Sequence, residues 1–183
     1  MKIHRTPIEG LLLVESTPQT DERGSFNRLY CQNELGDLVG ERQILQINHS
    51  STGAVGAVRG MHFQNEPHAE MKLVRCIKGR VWDVAVDLRA GSSTFLNWHA
   101  EELSADNARM MVIPEGFAHG FQVLEQASEL VYLHTAFYTP SAEGGVRPTD
   151  PELSISWPLP PQDLSDRDLK HPLLTTEFAG LVL

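Results

Sequence analysis

The chain has 183 residues and a formal net charge of −9, and its 41% hydrophobic content is ordinary for a globular protein. This length suits one domain with a sizeable core, and we expect residues 1–183 to form it. The negative charge argues against non-specific binding to nucleic acid or to an anionic membrane. An anionic small ligand would need a local cluster of basic side chains.

The cysteines and the N-terminal region indicate a cytoplasmic protein. Two cysteines, Cys31 and Cys76, are too few for a disulfide framework and are interpreted as reduced thiols. The apolar run at residues 11–14 lies between Glu9 and Glu15. It is too short for a signal peptide core or a membrane span. We therefore expect a cytoplasmic enzyme or binding protein with no membrane partner.

Short β-like runs recur along the chain, separated by turn-forming residues. They predict strands over residues 8–15, 43–50, 71–88, 109–113, 120–123, 129–138 and 153–155. Within residues 71–88, Lys78 and Gly79 predict a hairpin turn. Over residues 81–88 the even-numbered residues are all apolar, whereas Asp83 and Asp87 interrupt the odd-numbered set. This alternation predicts a strand with one apolar face and one mixed face.

Helical signals are few. Ser104 predicts the cap of a short turn over residues 105–108, and Ser165 predicts the cap of a short helix near residues 164–169. The proline-rich stretch 157–161 predicts an extended connection inside the domain. Many short strands and few helices predict an all-β fold, either a β-sandwich or a small barrel.

One motif narrows the fold. Residues 114–119 (PEGFAH) lie between two predicted strands and resemble the second conserved motif of the cupins. In that motif the Pro and Gly form a turn, and the His, here His119, points into the mouth of a barrel. The resemblance implies a cupin-type jelly-roll β-barrel with a few short helices. Asp83 is then expected to face the barrel interior and to hydrogen-bond His119.

A second motif, RGMHFQ around His62, is followed by Glu70 and Lys72. Many cupins bind a transition metal through His-x-His, a later Glu and a distant His. Gln64 breaks the His-x-His pair here, which leaves His62, Glu70 and His119 as an alternative ligand set. Because Lys72 would repel a cation beside Glu70, we favour chemistry without a metal. A metal-dependent cupin enzyme stays as the alternative.

Chemistry without a metal suits these residues. A ketone acidifies the hydrogens on its neighbouring carbons, because their removal gives an enolate. Inversion then needs a base, a group that holds the enolate oxygen, and an acid on the opposite face. His62 suits the base, since its reference pKa of about 6.5 lies near neutral pH. Lys72 is suited to hold the enolate oxygen. Tyr132 is suited to be the acid, because its reference pKa of about 10 keeps it protonated at neutral pH.

The sequence resembles the dTDP-4-dehydrorhamnose 3,5-epimerase family over most of the chain, from about residue 21 to residue 168. The matching segments are DERG at 21–24 with Phe26, Gln46, NHS at 48–50, RGMHFQ at 59–64, KLVR at 72–75, DVAVDLR at 83–89, residues 113–121, Tyr132, DP at 150–151, WP at 157–158 and SDRD at 165–168. The order and spacing of these segments make the resemblance specific.

The resemblance implies a role for each catalytic residue. His62 corresponds to the proton acceptor and Asp168 to the carboxylate that orients its ring. Tyr132 corresponds to the proton donor, and Lys72 lies beside the sugar ketone. From the residues alone, Ser165 and Asp168 also fit a capping box, in which the carboxylate returns to the backbone of the cap. The family is homodimeric and uses neither a metal nor an organic cofactor.

The remaining matches imply a site for a nucleoside-diphosphate sugar. Arg23 and Arg59 correspond to diphosphate contacts, and Tyr138 to an aromatic ring that stacks on the nucleobase. Further substrate contacts are implied at Phe26, Arg28, Gln46, Asn48, His119, Glu143 and Arg167. These residues complete a substrate site without a metal.

The match departs from the family mainly outside the catalytic set. Arg28 stands where the family usually has Glu, at a position that recognises the nucleotide, and Arg167 replaces a Lys. Residues 70–71 (EM) replace Gln-Gly, and residues 148–149 (PT) replace Trp-Asn. The resemblance implies epimerisation of dTDP-4-dehydro-6-deoxyglucose at C3 and C5, on the way to deoxysugars such as rhamnose. The alternatives are a C3-only enzyme, a CDP- or GDP-sugar epimerase, and a nucleotide-sugar-binding cupin without turnover.

Overall fold

A computed structural model describes residues 1–183 and contains thirteen strands, two α-helices and one short 3-10 helix, Pro140–Ala142. The strands are β1 (Lys2–Arg5), β2 (Leu12–Glu15), β3 (Gln19–Asp21), β4 (Gly24–Phe26), β5 (Gln46–Thr52), β6 (Val58–Gln64), β7 (Lys72–Lys78), β8 (Arg80–Asp87), β9 (Trp98–Ser104), β10 (Arg109–Ile113), β11 (Phe117–Val123), β12 (Ser128–His134) and β13 (Glu143–Gly145). The helices are α1 (Gln32–Val39) and α2 (Asp166–Lys170). The predicted all-β fold is confirmed.

Two antiparallel sheets build the barrel. The larger has the order β1-β2-β10-β7-β12-β5, and the smaller has the order β13-β6-β11-β8-β9. β3 and β4 form a separate hairpin. The largest apolar cluster lies between the sheets and includes Leu13, Val74, Ala85, Phe121 and Leu130. Alternate residues of each strand face the space between the sheets. The functional side chains described below come from such positions on both sheets.

Two further apolar clusters cover the outer faces. On the larger sheet, Leu73 and Met110 pack with Leu35 of α1. On the smaller sheet, Val84 and Val86 pack with partly buried residues of the C-terminal segment, such as Trp157 and Phe178. Strand β8 is therefore buried on both faces. Its even-numbered residues contact the outer cluster, as the predicted apolar face requires.

Two strand predictions are wrong. The turn at residues 78–79 exists, but β7 and β8 do not form a hairpin, because β7 pairs with β10 and β12 whereas β8 pairs with β9 and β11. The chain crosses between sheets at this turn, where Ser128 accepts a hydrogen bond from the Arg80 amide at 3.0 Å. Residues 153–155 are not a strand. Leu153 is buried in a turn that the Asp150 carboxylate stabilises by accepting from the Glu152 amide at 2.9 Å.

The capped segments follow the prediction. Ser104 Oγ accepts from the Asn107 amide at 3.0 Å in a short turn, and Ser165 caps α2 by accepting from the Asp168 amide at 3.1 Å. Helix α1 was not predicted, since no side chain caps it and Gly36 interrupts its pattern. No helix is long and apolar enough to cross a membrane.

Close packing of β6 against β11 positions the centre of the site. Gly60 has a φ of +130°, and a Cβ added there would lie 2.5 Å from Gly120 Cα. Only glycine fits this approach. Two residues further along β6, His62 pairs with His119 across the two strands. The close contact between Gly60 and Gly120 therefore brings the two imidazoles, His62 and His119, to the same end of the barrel.

Candidate active site

A cavity of about 560 Å3 opens at one end of the barrel, between the two sheets. Polar side chains dominate its lining, with three cations, two carboxylates and four histidines. The lining residues are Ile47, Asn48, His49, Ser50, Arg59, His62, Glu70, Lys72, His119, Phe121, Tyr132, His134, Tyr138, Glu143 and Arg167. The predicted base, acid and lysine therefore share one cavity.

His62 and Asp168 form a hydrogen-bonded pair. His62 Nε2 lies 2.7 Å from Asp168 Oδ1. The Asp168 side chain is only 3% exposed, whereas that of His62 is 24% exposed and faces the cavity. Burial by itself would raise the pKa of the Asp168 carboxyl, but the hydrogen bond and charge of His62 outweigh burial and hold this pKa below its usual value. Asp168 is thus an anion beside the imidazole.

This pair selects one tautomer of His62. A carboxylate can only accept, so the 2.7 Å contact requires His62 to carry its proton on Nε2. Arg167 Nη2 lies 3.2 Å from the same nitrogen but is itself a donor, so it does not hydrogen-bond this tautomer. Nδ1 then keeps a lone pair suited to accept a proton. When Nδ1 takes a proton, the resulting imidazolium lies next to the Asp168 anion. The capping alternative is settled at the same time: the Asp168 amide donates to Ser165, and its carboxylate goes to His62.

Lys72 reaches the cavity from β7. Its Nζ donates to the His62 carbonyl oxygen at 3.3 Å and lies 3.2 Å from Glu70 Oε1. Glu70 Oε2 in turn lies 2.7 Å from His134 Nδ1. Burial opposes ionisation of Glu70, but the hydrogen bond from His134 and the charge of Lys72 keep its pKa below the usual value. The ammonium group is therefore anchored at the cavity wall by a buried carboxylate.

Tyr132 faces His62 from the opposite sheet. It extends from β12 of the larger sheet, whereas His62 extends from β6 of the smaller one. Its hydroxyl lies 3.1 Å from Ser50 Oγ. Burial raises the pKa of the Tyr132 phenol, so the group is protonated at neutral pH. The cavity thus has an imidazole and a neutral phenol on opposing walls.

His119 lies on the same wall as His62, on the neighbouring strand β11, and a buried carboxylate fixes its ring. Its Nε2 is 2.8 Å from Asp83 Oδ1, which is buried in the barrel as predicted. Burial raises the Asp83 pKa. The His119 ring meets the Tyr132 ring edge to face, with 6.1 Å between centroids. His119 therefore limits where a ligand can lie between the acid and the base.

The outer part of the cavity carries the groups predicted to bind the nucleotide. Arg167 is 54% exposed and lies 2.9 Å from Glu143, which also accepts from the Tyr138 hydroxyl at 2.9 Å. Arg59 is exposed and lies on the same cavity. Gln46 is at the rim, where its Oε1 accepts from the Tyr138 amide at 3.0 Å. Exposed guanidinium groups beside an exposed aromatic ring suit a diphosphate and a base.

Three predicted site residues lie elsewhere. Arg23 and Phe26 are on the β3–β4 hairpin, and none of Arg23, Phe26 and Arg28 lines the cavity. Arg23 pairs with Asp21, and Arg28 pairs with Glu34. Phe26 is 73% exposed. Within one chain, these residues are not part of the site.

The alternative metal set does not converge. His62 is bonded to Asp168, Glu70 to His134, and His119 to Asp83. The three His or carboxylate ligand atoms that do lie within 4.8 Å of one another belong to His62, Asp168 and His171. Gln64 binds the loop backbone, since its Oε1 accepts from the Thr139 amide at 2.6 Å.

Sequence reasoning missed several residues that line the cavity, and it missed His171, which lies beside His62 but is not part of the cavity lining. Ser50 and His134 share the cavity with Tyr132, and the alternation of side chains along β5 and β12 could have identified them. His171 follows α2, and its ring meets that of His62 at 6.0 Å. Burial and the neighbouring His62 lower its pKa. No spacing rule predicts this contact, which arises only in the tertiary structure.

The fold and the site together define a class. A jelly-roll barrel whose cavity holds a His–Asp pair, a tyrosine on the opposing sheet and a lysine fits a sugar-nucleotide epimerase, an isomerase of the cupin type. A sequence profile described as dTDP-4-dehydrorhamnose 3,5-epimerase matches residues 5–176. The chain belongs to the dTDP-4-dehydrorhamnose 3,5-epimerase family.

Individual relatives agree with this assignment. The dTDP-4-dehydrorhamnose 3,5-epimerase of Shigella flexneri is 43% identical over 92% of this chain and 93% of its own. The dTDP-4-dehydrorhamnose 3-epimerase of Streptomyces niveus is 36% identical over 100% of this chain and 88% of its own. A crystal structure of the Legionella pneumophila 3,5-epimerase RmlC with dTDP-4-keto-L-rhamnose has a TM-score of 0.90 at 37% identity, covering 94% and 92% of the two chains. The predicted fold, family and enzyme class are confirmed.

Proposed function

We propose that this protein epimerises dTDP-4-dehydro-6-deoxyglucose at C3 and C5. The observation that carries the proposal is the placement of His62 and Tyr132 on opposing sheets of one cavity. Inversion at carbon requires removal of a proton from one face and its return to the other. A site that only binds a nucleotide sugar needs no such pair.

Each catalytic residue has one step. Nδ1 of His62 removes the proton next to the ketone, and the electrons of the C–H bond move into the carbonyl to give an enolate. The Lys72 ammonium stabilises the enolate oxygen. Tyr132 then donates its proton to the same carbon from the other side. Asp168 stabilises the imidazolium throughout, and solvent restores both protonation states.

The diphosphate and the base occupy the outer part of the cavity. Arg59 and Arg167 supply charge-assisted hydrogen bonds to the phosphate oxygens, and Tyr138 stacks on the nucleobase. Gln46, Asn48, His119 and Glu143 complete the contacts to the substrate. These side chains supply the binding groups without a metal or an organic cofactor.

The protein acts as a homodimer in which Arg23, Phe26 and Arg28 complete the cavity of the partner. The β3–β4 hairpin is exposed and away from its own cavity. The edge strand β5 also leaves Ile47 65% exposed. An exposed edge strand and exposed large apolar side chains favour association with another chain. Two free cysteines fit a cytoplasmic location.

A C3-only epimerase is the second candidate. A 3-epimerase relative of similar length favours it, and the chain's own Glu70 and Arg28 depart from the family pattern. The same base and acid would then act at one carbon instead of two. The preference for one nucleobase depends on whether Arg28 contacts the base of the substrate in the proposed dimer.

Exchange in D2O tests the function. Purified protein is incubated with dTDP-, CDP- and GDP-linked 4-keto-6-deoxyglucose, and deuterium at C3 and C5 is read by NMR and mass spectrometry. We expect two deuterons in the dTDP-sugar. One deuteron would establish the C3-only reaction. No incorporation with any nucleotide would refute epimerase activity and favour a binding protein.

A further inference from the structure

We propose that His62, Asp168 and His171 form a binding site for a zinc-class divalent cation, and that occupation of this site switches off the base. One ligand atom from each of the three side chains lies within 4.8 Å of the others. Two imidazoles and one carboxylate are the ligands that zinc takes in open, three-residue sites. The site uses the catalytic His62 but adds a residue, His171, that the epimerisation does not require.

His171 is placed for coordination and has no other polar role for its outer nitrogen. Its Nε2 is buried and makes no hydrogen bond. Buried polar atoms are nearly always partnered, so an unpartnered imidazole nitrogen beside a His–Asp pair requires an explanation. The ring lies against Gly145, where an added Cβ would be 2.4 Å from Nε2. Gly145 pairs with His62 across β13 and β6, so the missing side chain makes room for His171 beside the base.

Small movements convert this group into a metal site. Zinc–ligand bonds of about 2.0–2.2 Å in tetrahedral geometry separate the ligand atoms by about 3.3 Å. His62 Nε2 and Asp168 Oδ1 are now 2.7 Å apart. The His171 ligand atom lies within 4.8 Å of both, so an approach of at most about 1.5 Å gives the required spacing. Water would supply the fourth ligand of the tetrahedral site.

Arg167 is the cationic group in direct contact with a proposed ligand atom, and it opposes a metal there. Its Nη2 lies 3.2 Å from His62 Nε2. However, the side chain is 54% exposed and its Nη1 is paired with Glu143, so the guanidinium can rotate into solvent while it keeps or exchanges that ion pair. Glu143 and Asp168 then offset the charge of the metal. The site therefore suits a cation that prefers nitrogen ligands, and it does not suit Mg2+, which prefers oxygen ligands.

Metal binding would inhibit through the tautomer of His62. A neutral imidazole that gives its Nε2 lone pair to a metal must carry its proton on Nδ1. In the free enzyme the proton is on Nε2, next to Asp168, and Nδ1 is the base. Coordination thus moves the proton, through solvent, to the nitrogen that has to accept one from the substrate, with no net change in protonation. The binding step rests on geometry alone, whereas the inhibition rests on the proposed function.

Zinc titration of the wild-type enzyme and of His171→Gln tests the site. Binding is measured by calorimetry and activity by deuterium exchange, with a chelator added afterwards. We expect one zinc per chain, loss of exchange, and full recovery with chelator. His171→Gln should keep its zinc-free activity. Its zinc affinity should fall by about tenfold or more, because loss of a hydrogen-bond partner behind a ligand already costs that much, and loss of the ligand itself should cost at least as much. Mg2+ should have no effect.

Matched controls separate the possible failures. His4→Gln removes a 48% exposed histidine on β1, and it should bind zinc as the wild type does. If His171→Gln fails to fold, as judged by circular dichroism, His171→Phe replaces it. Equal zinc affinity in the wild type and both His171 variants would overturn the site. Zinc binding that depends on His171 but leaves exchange unchanged would overturn the inhibition, and binding in a protein inactive on every substrate would refute only the proposed function.

Discussion

The residue on which the base most depends is Asp168, which never contacts the substrate in the proposed reaction. Its side chain is buried, the pKa of its carboxyl is lowered, and its Oδ1 lies 2.7 Å from His62 Nε2. Its position follows from the short helix α2, whose first turn is fixed by Ser165. The orientation of the base is therefore set by a segment more than a hundred residues away in sequence.

Replacing Asp168 with Asn should lower kcat by about 100-fold or more, the usual contribution of a general base. The amide keeps the shape of the side chain but cannot stabilise an imidazolium. Affinity for dTDP, measured by calorimetry, should not change. Asp166→Asn is the matched control, because Asp166 lies on the same helix and is exposed. A kcat for Asp168→Asn within a few-fold of wild type would contradict the assigned role.

Arg28 is the residue most informative about the nucleotide. In the chain it pairs with Glu34 and does not reach its own cavity. If it contacts the base in the dimer, Arg28→Glu should shift the kcat/KM ratio toward dTDP- over CDP- and GDP-sugars by about tenfold, as for one hydrogen bond to a charged group. Arg42→Glu is the control, since Arg42 is a partly exposed arginine paired with Glu115. An unchanged ratio would exclude Arg28 from base recognition.

At the scale of elements, the sequence predicted where strands lie better than how they pair. Alternation identified β8 and its two faces, and the cap of α2 followed from Ser165. The pairing of β7 and β8 was wrong because a turn signal such as Lys78-Gly79 specifies a local reversal and not the partner strand. Likewise, His171 beside His62 could not be predicted, since that contact depends on how the chain after α2 returns to β13.

The crossing of β6 and β11 gives the prediction for this scale. Gly60→Ala would place a Cβ 2.5 Å from Gly120 Cα at a φ of +130°. We expect a loss of about 2 kcal/mol or more in the free energy of unfolding, measured by denaturant titration, together with reduced activity. Gly24→Ala is the matched control, because its φ of +136° is similar and no atom lies within 4 Å of the added Cβ. Equal losses in both variants would show that backbone strain, and not the close approach, dominates.

At the scale of the whole molecule, one chain does not contain the full predicted site. The four predicted catalytic residues and most predicted substrate contacts lie together, and only Arg23, Phe26 and Arg28 are apart. The family resemblance supplied all of these residues, but a sequence carries no mark of which subunit uses them. The proposed dimer, in which the β3–β4 hairpin enters the partner's cavity, would explain why this segment is exposed.

Heterodimers of two inactive variants test this exchange. Arg23→Ala and His62→Asn are co-expressed with different tags, and the mixed dimer is isolated. If the hairpin serves the partner, one of the two cavities is intact and about half of the wild-type activity should return, by the symmetry of the dimer. If the hairpin serves its own chain, both cavities are defective and no activity should return. A monomer in analytical ultracentrifugation would contradict the proposed assembly itself.

The most direct measurement of opposite-face proton transfer is the fate of substrate hydrogen with Tyr132→Phe in D2O. This variant keeps His62, Asp168 and Lys72 but lacks the acid. We expect deuterium to enter the substrate with its configuration retained, because His62 can still remove and return a proton, while formation of the epimer falls by about 100-fold. Formation of the epimer at the wild-type rate would contradict the assignment of His62 and Tyr132 to opposite faces. The assignment would also be contradicted if the variant lost both deuterium exchange and inversion.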